Sequence, residues 1–220
     1  MNLELQKRII TSFFLLLLFT LMFFYSFILI TALIVISIIS WIEFYGLLSK
    51  IFKRAIFKEK IQKFIYKSIS LIYLFFLVFF ILVIESKNPD LRIFIIYSIL
   101  VSILSDIGGL IIGRTFKGKK LTKISPKKTI SGSLGSFIFS ISLIPFFIKY
   151  LGEHDFFLLV IITLIISLVS QIGDLFISFL KRKAKVKNTS DLLPGHGGIL
   201  DRIDGIIFAI PIGFLLLNYL

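Results

Sequence analysis

The sequence predicts an all-α fold: a polytopic transmembrane helical bundle of about seven spans, with its N-terminus cytoplasmic. Three observations carry this. Of 220 residues, 57% are hydrophobic and only 17% are charged, where a soluble domain has roughly 25% charged residues. The mean hydropathy is +1.02, and the apolar residues, among them 26 Phe, fall in long runs with the continuity of membrane spans. The basic residues fall between those runs, nearly all in every second connection and so on one side.

Residues 9–42 contain no charged side chain. As one helix, at about 1.5 Å per residue, this run is roughly 50 Å long, too long for a hydrocarbon core of about 30 Å. It is therefore expected to fold back near Tyr25–Ser26, the second helix reaching about Leu48 and carrying Glu43. Five more runs follow, at about 68–84, 93–112, 132–148, 156–180 and 203–220. With the N-terminus inside, segments 1–8, 49–67, 113–131 and 179–202 are cytoplasmic. They hold all but Lys87, Arg92 and Lys149 of the 25 basic residues, as the positive-inside rule asks. Lys7 and Arg8 precede the first run, but no small-residue cleavage pattern follows, so no cleaved signal peptide is expected.

The formal net charge is +13. In a soluble protein that balance would suggest nucleic acid. Here it is accounted for by cytoplasmic loops beside a lipid bilayer, and no nucleic-acid partner is expected. The chain has no cysteine, which excludes disulfide frameworks, thiolate metal sites and Cys nucleophiles.

Topology does not account for the acids. Glu43, Asp106 and Asp174 each lie about seven residues from the cytoplasmic end of a span, roughly 10 Å deep. A carboxylate there is costly unless it is paired, bound to a cation or facing water. A structural pair with a nearby Lys or Arg would suffice for one acid; three at matched depth favour a shared wet cavity. Asp201 and Asp204, spaced i, i+3 at the start of the last span, are expected on one side of a helix. There they either cap backbone N–H groups or, with Asp174, supply hard oxygen ligands of the kind Mg²⁺ takes together with substrate phosphates.

Segment 49–67 is basic and amphipathic, and reads as an anchor on anionic head groups. Segment 113–131 interleaves Gly, Ser, Thr and Pro with Lys, the composition of a phosphate cradle or of a basic lipid-binding loop. In segment 179–205, His196 is flanked by Gly195, Gly197 and Gly198. Glycines there let the backbone approach a ligand closely, and the imidazole can contact a phosphate or transfer a proton near neutral pH.

These residues carry a resemblance. Gln171-Ile172-Gly173-Asp174-Leu175, Ser178-Phe179-Leu180-Lys181-Arg182, Lys187, and the run from Pro194-Gly195-His196-Gly197-Gly198 through Asp201-Arg202-Ile203-Asp204 resemble the signature of the phosphatidate cytidylyltransferase (CDP-diacylglycerol synthase) family. So do Asp106, Gly113-Arg114, Phe116, Gly118-Lys119, Leu121, Ile124-Ser125-Pro126-Lys127-Lys128-Thr129, and Trp41-Ile42-Glu43-Phe44. The similarity covers roughly 41–205 in scattered blocks. The family usually has Asp where Asn188 stands and Glu where Ser131 stands.

The resemblance implies that CTP and phosphatidic acid give CDP-diacylglycerol and pyrophosphate, in phospholipid biosynthesis, on the cytoplasmic face of a cell inner membrane. It implies Mg²⁺ held by Asp174 and Asp201 with Asp204 close by, a second, monovalent cation such as K⁺, and a homodimer. Catalytic roles go to Asp174, Lys181, Arg182, His196, Asp201, Arg202 and Asp204. Substrate binding goes to Asp106, Arg114, Lys119, Ser125, Lys127, Lys128, Thr129, Lys187, Gly195, Gly197 and Gly198. The whole of 1–220 is then one integral membrane catalytic domain, with N-terminal helices at about 9–84 and a catalytic part at about 93–220. The chemistry agrees, because a phosphate monoester is already ionised at neutral pH, so catalysis needs positioning and charge neutralisation. A CTP-dependent polyprenol or phytol kinase would share the basic loops and acids but needs a base for its alcohol. A carboxylate-lined transporter explains the acids but not two Gly- and Lys-rich loops.

Overall fold

Long uncharged runs leave the backbone only its own carbonyls to bond with, so they must form helices. The computed structural model describes residues 3–52, 57–151 and 156–219. Its helices are α1 (Leu3–Phe24), α2 (Ser26–Ile51), α3 (Phe57–Lys87), α4 (Arg92–Phe116), α5 (Ile130–Ile141), α6 (Ile144–Phe147), α7 (Phe156–Lys183), α8 (Leu200–Ile203) and α9 (Ile206–Asn218), with a 3₁₀ turn at Pro89–Leu91. No strand occurs among the described residues. Five stretches are long and apolar enough to cross a membrane: Ser26–Ile51, Phe57–Lys87, Pro89–Phe116, Ile130–Phe147 and Phe156–Lys183. The chain is a multi-pass membrane protein. The apolar part of α1, Ile9–Met22, is shorter than these five, and α9 has 13 residues, about 20 Å of helix.

Local chemistry sets the breaks. The first run divides at Tyr25, whose extended φ of −123° and ψ of 109° end α1 and start α2, as its length required. The segment expected as a loop at 49–67 is mostly helix, since α3 begins at Phe57. Residues 57–67 hold no Gly or Pro and several good helix formers, so nothing stops the helix there. Lys53 and Arg54, counted with that loop, lie outside the described residues, as do the side chains of Lys7 and Arg8. The run at 132–148 is interrupted between α5 and α6, where Pro145 sits in the first turn of α6 and has no N–H to continue the ladder.

The chain forms two compact units, Met1–Lys87 with Leu180–Ile203, and Asn88–Phe179 with Asp204–Leu220. In the first, α2 packs on α1, α3 and α8, burying Leu47, Leu48, Leu74, Leu77, Ile81 and Ile84. The Lys67 ammonium stands 3.0 Å over the Tyr45 ring, a cation–π contact.

In the second unit α4 packs on α5 and α9. Tyr97, Val101, Ile144, Leu159, Ile166 and Ala209 form part of its core. Helices α4 and α5 approach so closely that a Cβ on Gly108 would overlap the Gly135 carbonyl and lie 2.7 Å from Phe139, the small-residue packing membrane helices use in place of a hydrophobic drive. Buried hydroxyls join α4 to α7: Ser102 to Ser170 at 2.5 Å, Ser105 to Ser167 at 3.0 Å and Tyr97 to Thr163 at 2.6 Å.

Candidate active site

In the second unit the loop between α4 and α5 is a folded hairpin. Lys117 and Gly118 turn the chain through positive φ, +47° and +101°. The Leu121 N–H then donates to the Lys128 carbonyl at 2.8 Å, the Ile130 N–H to Lys119 at 2.9 Å, and the Lys128 N–H to Ser125 at 3.0 Å. Thr129 caps α5, its hydroxyl accepting the Gly132 N–H at 3.0 Å. Ser131, at the position where Glu is usual, closes the hairpin by donating to the Lys117 carbonyl at 3.2 Å.

This folding makes one wall of a cleft of about 360 Å³. Ser125, Lys127, Lys128 and Thr129 line it from the hairpin, Asp106 and Arg114 from α4, and Gln171 and Asp174 from α7. Lys128 pairs with Asp174, which also accepts from the Ser178 hydroxyl at 3.2 Å. Seven expected site residues therefore meet here: Asp106, Arg114, Ser125, Lys127, Lys128, Thr129 and Asp174. Lys119 is exposed and does not line the cleft. Sequence reasoning missed the polar floor, where Ser133 donates to Gln171 at 2.6 Å beside Ser105 and Ser136. Gln171 lies within the resembling block, which assigns it no role.

In the first unit the Pro-Gly-His-Gly-Gly run resolves residue by residue. Pro194-Gly195 form a turn in which the His196 N–H donates to the Leu193 carbonyl at 2.9 Å. Gly195 has φ +77°, the type II position that favours glycine. Gly197, at φ +86°, brings the chain back so that its carbonyl accepts the Leu193 N–H at 2.8 Å. Helix α1 holds the turn from outside: Thr11 donates to the Pro194 carbonyl at 3.0 Å, and the Ser12 hydroxyl lies 3.3 Å from His196 Nε2. The buried Nδ1 of His196 has no hydrogen-bond partner. Arg202 Nη2 donates to the His196 carbonyl at 2.6 Å. Arg182 and Lys187 are exposed.

Asp201 is enclosed. Its Oδ1 accepts from Lys181 Nζ at 2.7 Å. Its Oδ2 accepts the N–H groups of Thr189 at 2.8 Å and Gly198 at 3.1 Å, both from the segment that precedes α8.

Two expectations are corrected. Asp201 and Asp204 do not share a helix face. Helix α8 ends at Ile203, and Asp204 turns its Oδ1 onto the Gly205 N–H at 3.0 Å, the local bond by which Asp competes with helix. Glu43, expected in a wet cavity, is instead enclosed by protein. It is buried, 5% exposed, and accepts from Thr189 Oγ1 at 2.7 Å, Ser190 Oγ at 2.6 Å and the N–H groups of Ile199 at 3.0 Å and Leu200 at 2.9 Å. Among the described residues, no group of three or more His, Asp or Glu side chains converges as a metal site.

Burial opposes ionisation of Asp201, but the Lys181 hydrogen bond, the two backbone N–H groups and the Lys181 charge outweigh it and hold the carboxyl below its ordinary 3.8. A depressed native value means stability that is fully present above the unfolded value and lost as pH falls through the native one. Thermal unfolding in detergent is therefore expected to be insensitive to this group from neutral pH down to about 4 and to weaken below. Asp201→Asn should remove that part of the acid dependence.

The model of the cytidylyltransferase family matches residues 5–220. The chain is 43% identical over 145 residues to the phosphatidate cytidylyltransferase of Rickettsia prowazekii, covering 61% of each chain. It is 44% identical over 124 residues to that of Rickettsia typhi, covering 52% of this chain and 54% of the relative. It is 40% identical over 136 residues to that of Staphylococcus epidermidis, covering 60% of this chain and 52% of the relative. The chain thus matches between half and two thirds of the length of these curated relatives. With the family's model matched from residue 5 to residue 220, the chain belongs to the cytidylyltransferase family.

Proposed function

We propose that the protein transfers the cytidylyl group of CTP to phosphatidic acid, giving CDP-diacylglycerol and pyrophosphate, at the cytoplasmic face of a cell inner membrane. The observation that carries this reading is the cleft, in which Arg114, Lys127 and Lys128 gather at the ends of apolar helices. A cationic, hydroxyl-lined recess at that position suits two anionic phosphates, one on a soluble nucleotide and one on a lipid whose chains stay in the bilayer. An ionised phosphatidate oxygen attacks the α-phosphorus of CTP, the bond from that phosphorus to the bridging oxygen of the β-phosphate breaks, and pyrophosphate leaves with the electron pair. No proton need be abstracted, so the protein's part is alignment and neutralisation. Arg114, Lys127 and Lys128 supply the positive charge; Ser125, Thr129 and Ser133 supply hydroxyls for phosphate oxygens.

The donor set fits Mg²⁺. Asp106 and Asp174 offer two carboxylates among hydroxyls and the Gln171 carbonyl, all hard oxygens, and Mg²⁺ characteristically takes one or two carboxylates plus substrate phosphates. When bound, the ion would neutralise polyphosphate charge. Asp174 is the acid we assign to it, because it lines the cleft beside the cations that would meet the phosphates.

The test is purified protein in detergent–lipid micelles with Mg²⁺, CTP and phosphatidic acid. Pyrophosphate and CDP-diacylglycerol are expected in equal amounts. Phosphorylation of dolichol or phytol with CDP release would overturn the reading in favour of an alcohol kinase, and no turnover with either acceptor would overturn it outright.

A further inference from the structure

Glu43 lies in α2, far along the chain from the glycine-rich segment, yet all four of its hydrogen bonds go there. Thr189 and Ser190 precede the Pro194–Gly198 turn, and Ile199 and Leu200 follow it. An ionised carboxylate has about four acceptor positions, so each oxygen holds one hydroxyl and one backbone N–H. The Thr189 hydroxyl lies between two acids, 2.7 Å from Glu43 Oε2 and 3.0 Å from Asp201 Oδ2. It has one proton to give. The Asp201 oxygen already accepts two N–H groups, so the proton goes to Glu43. The Glu43 carboxylate thereby ties both ends of the turn together, beside the acid that holds Lys181. Hydrophobic packing alone would not need a buried carboxylate there; a fully satisfied polar network fixes one geometry.

We propose that Glu43 is a positioning residue for the cytidylyl transfer. It fixes segment 189–200 and, through Thr189 and the start of α8, the Lys181–Asp201 pair and Arg202. The proposal rests on the function above, and its test separates the two. In Glu43→Gln an NH₂ group replaces one oxygen. Because each oxygen holds one backbone N–H, one N–H faces a donor whichever way the amide turns, whereas a hydroxyl could reverse.

The measurement is kcat per folded protein together with amide hydrogen exchange at Ile199 and Leu200, in the full chain in detergent–lipid micelles. Glu43→Gln is expected to lower kcat about 100-fold, with the KM for CTP little changed, and to speed exchange at those two amides about tenfold. Wild-type kcat per folded protein, or unchanged exchange at both amides, would overturn the proposal. Should Glu43→Gln fail to fold, Thr189→Val deletes one hydroxyl at nearly constant volume. It is expected to lower kcat and speed the same exchange, while Thr189→Ser restores both; wild-type behaviour of the valine variant would overturn the proposal. If the wild type makes no CDP-diacylglycerol, the cytidylyl reading fails, and exchange alone still decides whether Glu43 holds the loop.

Discussion

Replacing Lys128 by methionine is expected to slow cytidylyl transfer by about 10²–10³-fold, the scale on which one preformed electrostatic contact to a developing anion acts. Lys128 enters the cleft from the hairpin and pairs with Asp174, with side chains 27% and 22% exposed. Methionine keeps the length and removes the charge. The polyphosphate then loses a cation, and Asp174 loses its Lys128 ion pair while the Ser178 hydroxyl still donates to it. Lys128→Arg keeps the charge and should retain far more activity, although its planar fork will not reproduce the ammonium's geometry. Asp174→Asn should be as damaging as Lys128→Met. If the pair acts as a unit, the double variant will lose much less than the product of the two single losses. Steady-state kinetics on the four proteins settle this, and a Lys128→Met enzyme with wild-type kcat/KM would remove Lys128 from the site.

That cleft was legible in the sequence because its signals are local. Lysines interleaved with Gly, Ser and Thr between two apolar runs need a folded loop, and loop residues close in sequence stay close in space. Arg114 and Asp106 share a helix that ends where the loop begins. The first helix break was legible for a similar reason, since a run of uncharged residues too long for one crossing must break, and it breaks at Tyr25. Pro145 is the local signal for the division of α5 from α6, set within an otherwise continuous apolar run.

Glu43 was not legible. Its depth could be read from its distance to the end of the span, but depth alone does not separate a carboxylate facing water from one bonded to backbone. What decides is the partner, and Thr189 lies 146 residues further along the chain. His196 is similar: its flanking glycines are visible in the sequence, while the hydroxyl beside its Nε2 belongs to Ser12, 184 residues away. Asp201 and Asp204 fail differently. The i, i+3 rule holds only if one helix continues through both, and an Asp followed by Gly can bond its own neighbour's N–H and end the helix instead.

Gly198→Ala is expected to be the most damaging single methyl group in the first unit, costing about 3 kcal/mol of stability and lowering turnover per folded molecule by about 100-fold. A Cβ there would overlap Thr189 Oγ1 and the Glu43 carboxylate, with Glu43 Cδ at 2.7 Å. Overlap is cheap when the neighbour is the free end of a flexible chain. Here neither neighbour is free: Thr189 Oγ1 is held between Glu43 and Asp201, and Glu43 by three further donors. Relief by moving the backbone would draw the Gly198 N–H away from Asp201 and loosen the acid that holds Lys181. Gly46→Ala supplies the contrast. It lies in α2 close to Glu43, but a Cβ there meets nothing within 4 Å, so helix propensity should make it stabilising by up to about 1 kcal/mol. Adding Thr189→Ala to Gly198→Ala removes one of the two overlapping groups. Thermal unfolding in detergent should then recover part of the lost stability, while turnover stays low because the Thr189 bridge is gone. Stability and turnover recovering together would mean that the glycine serves packing alone.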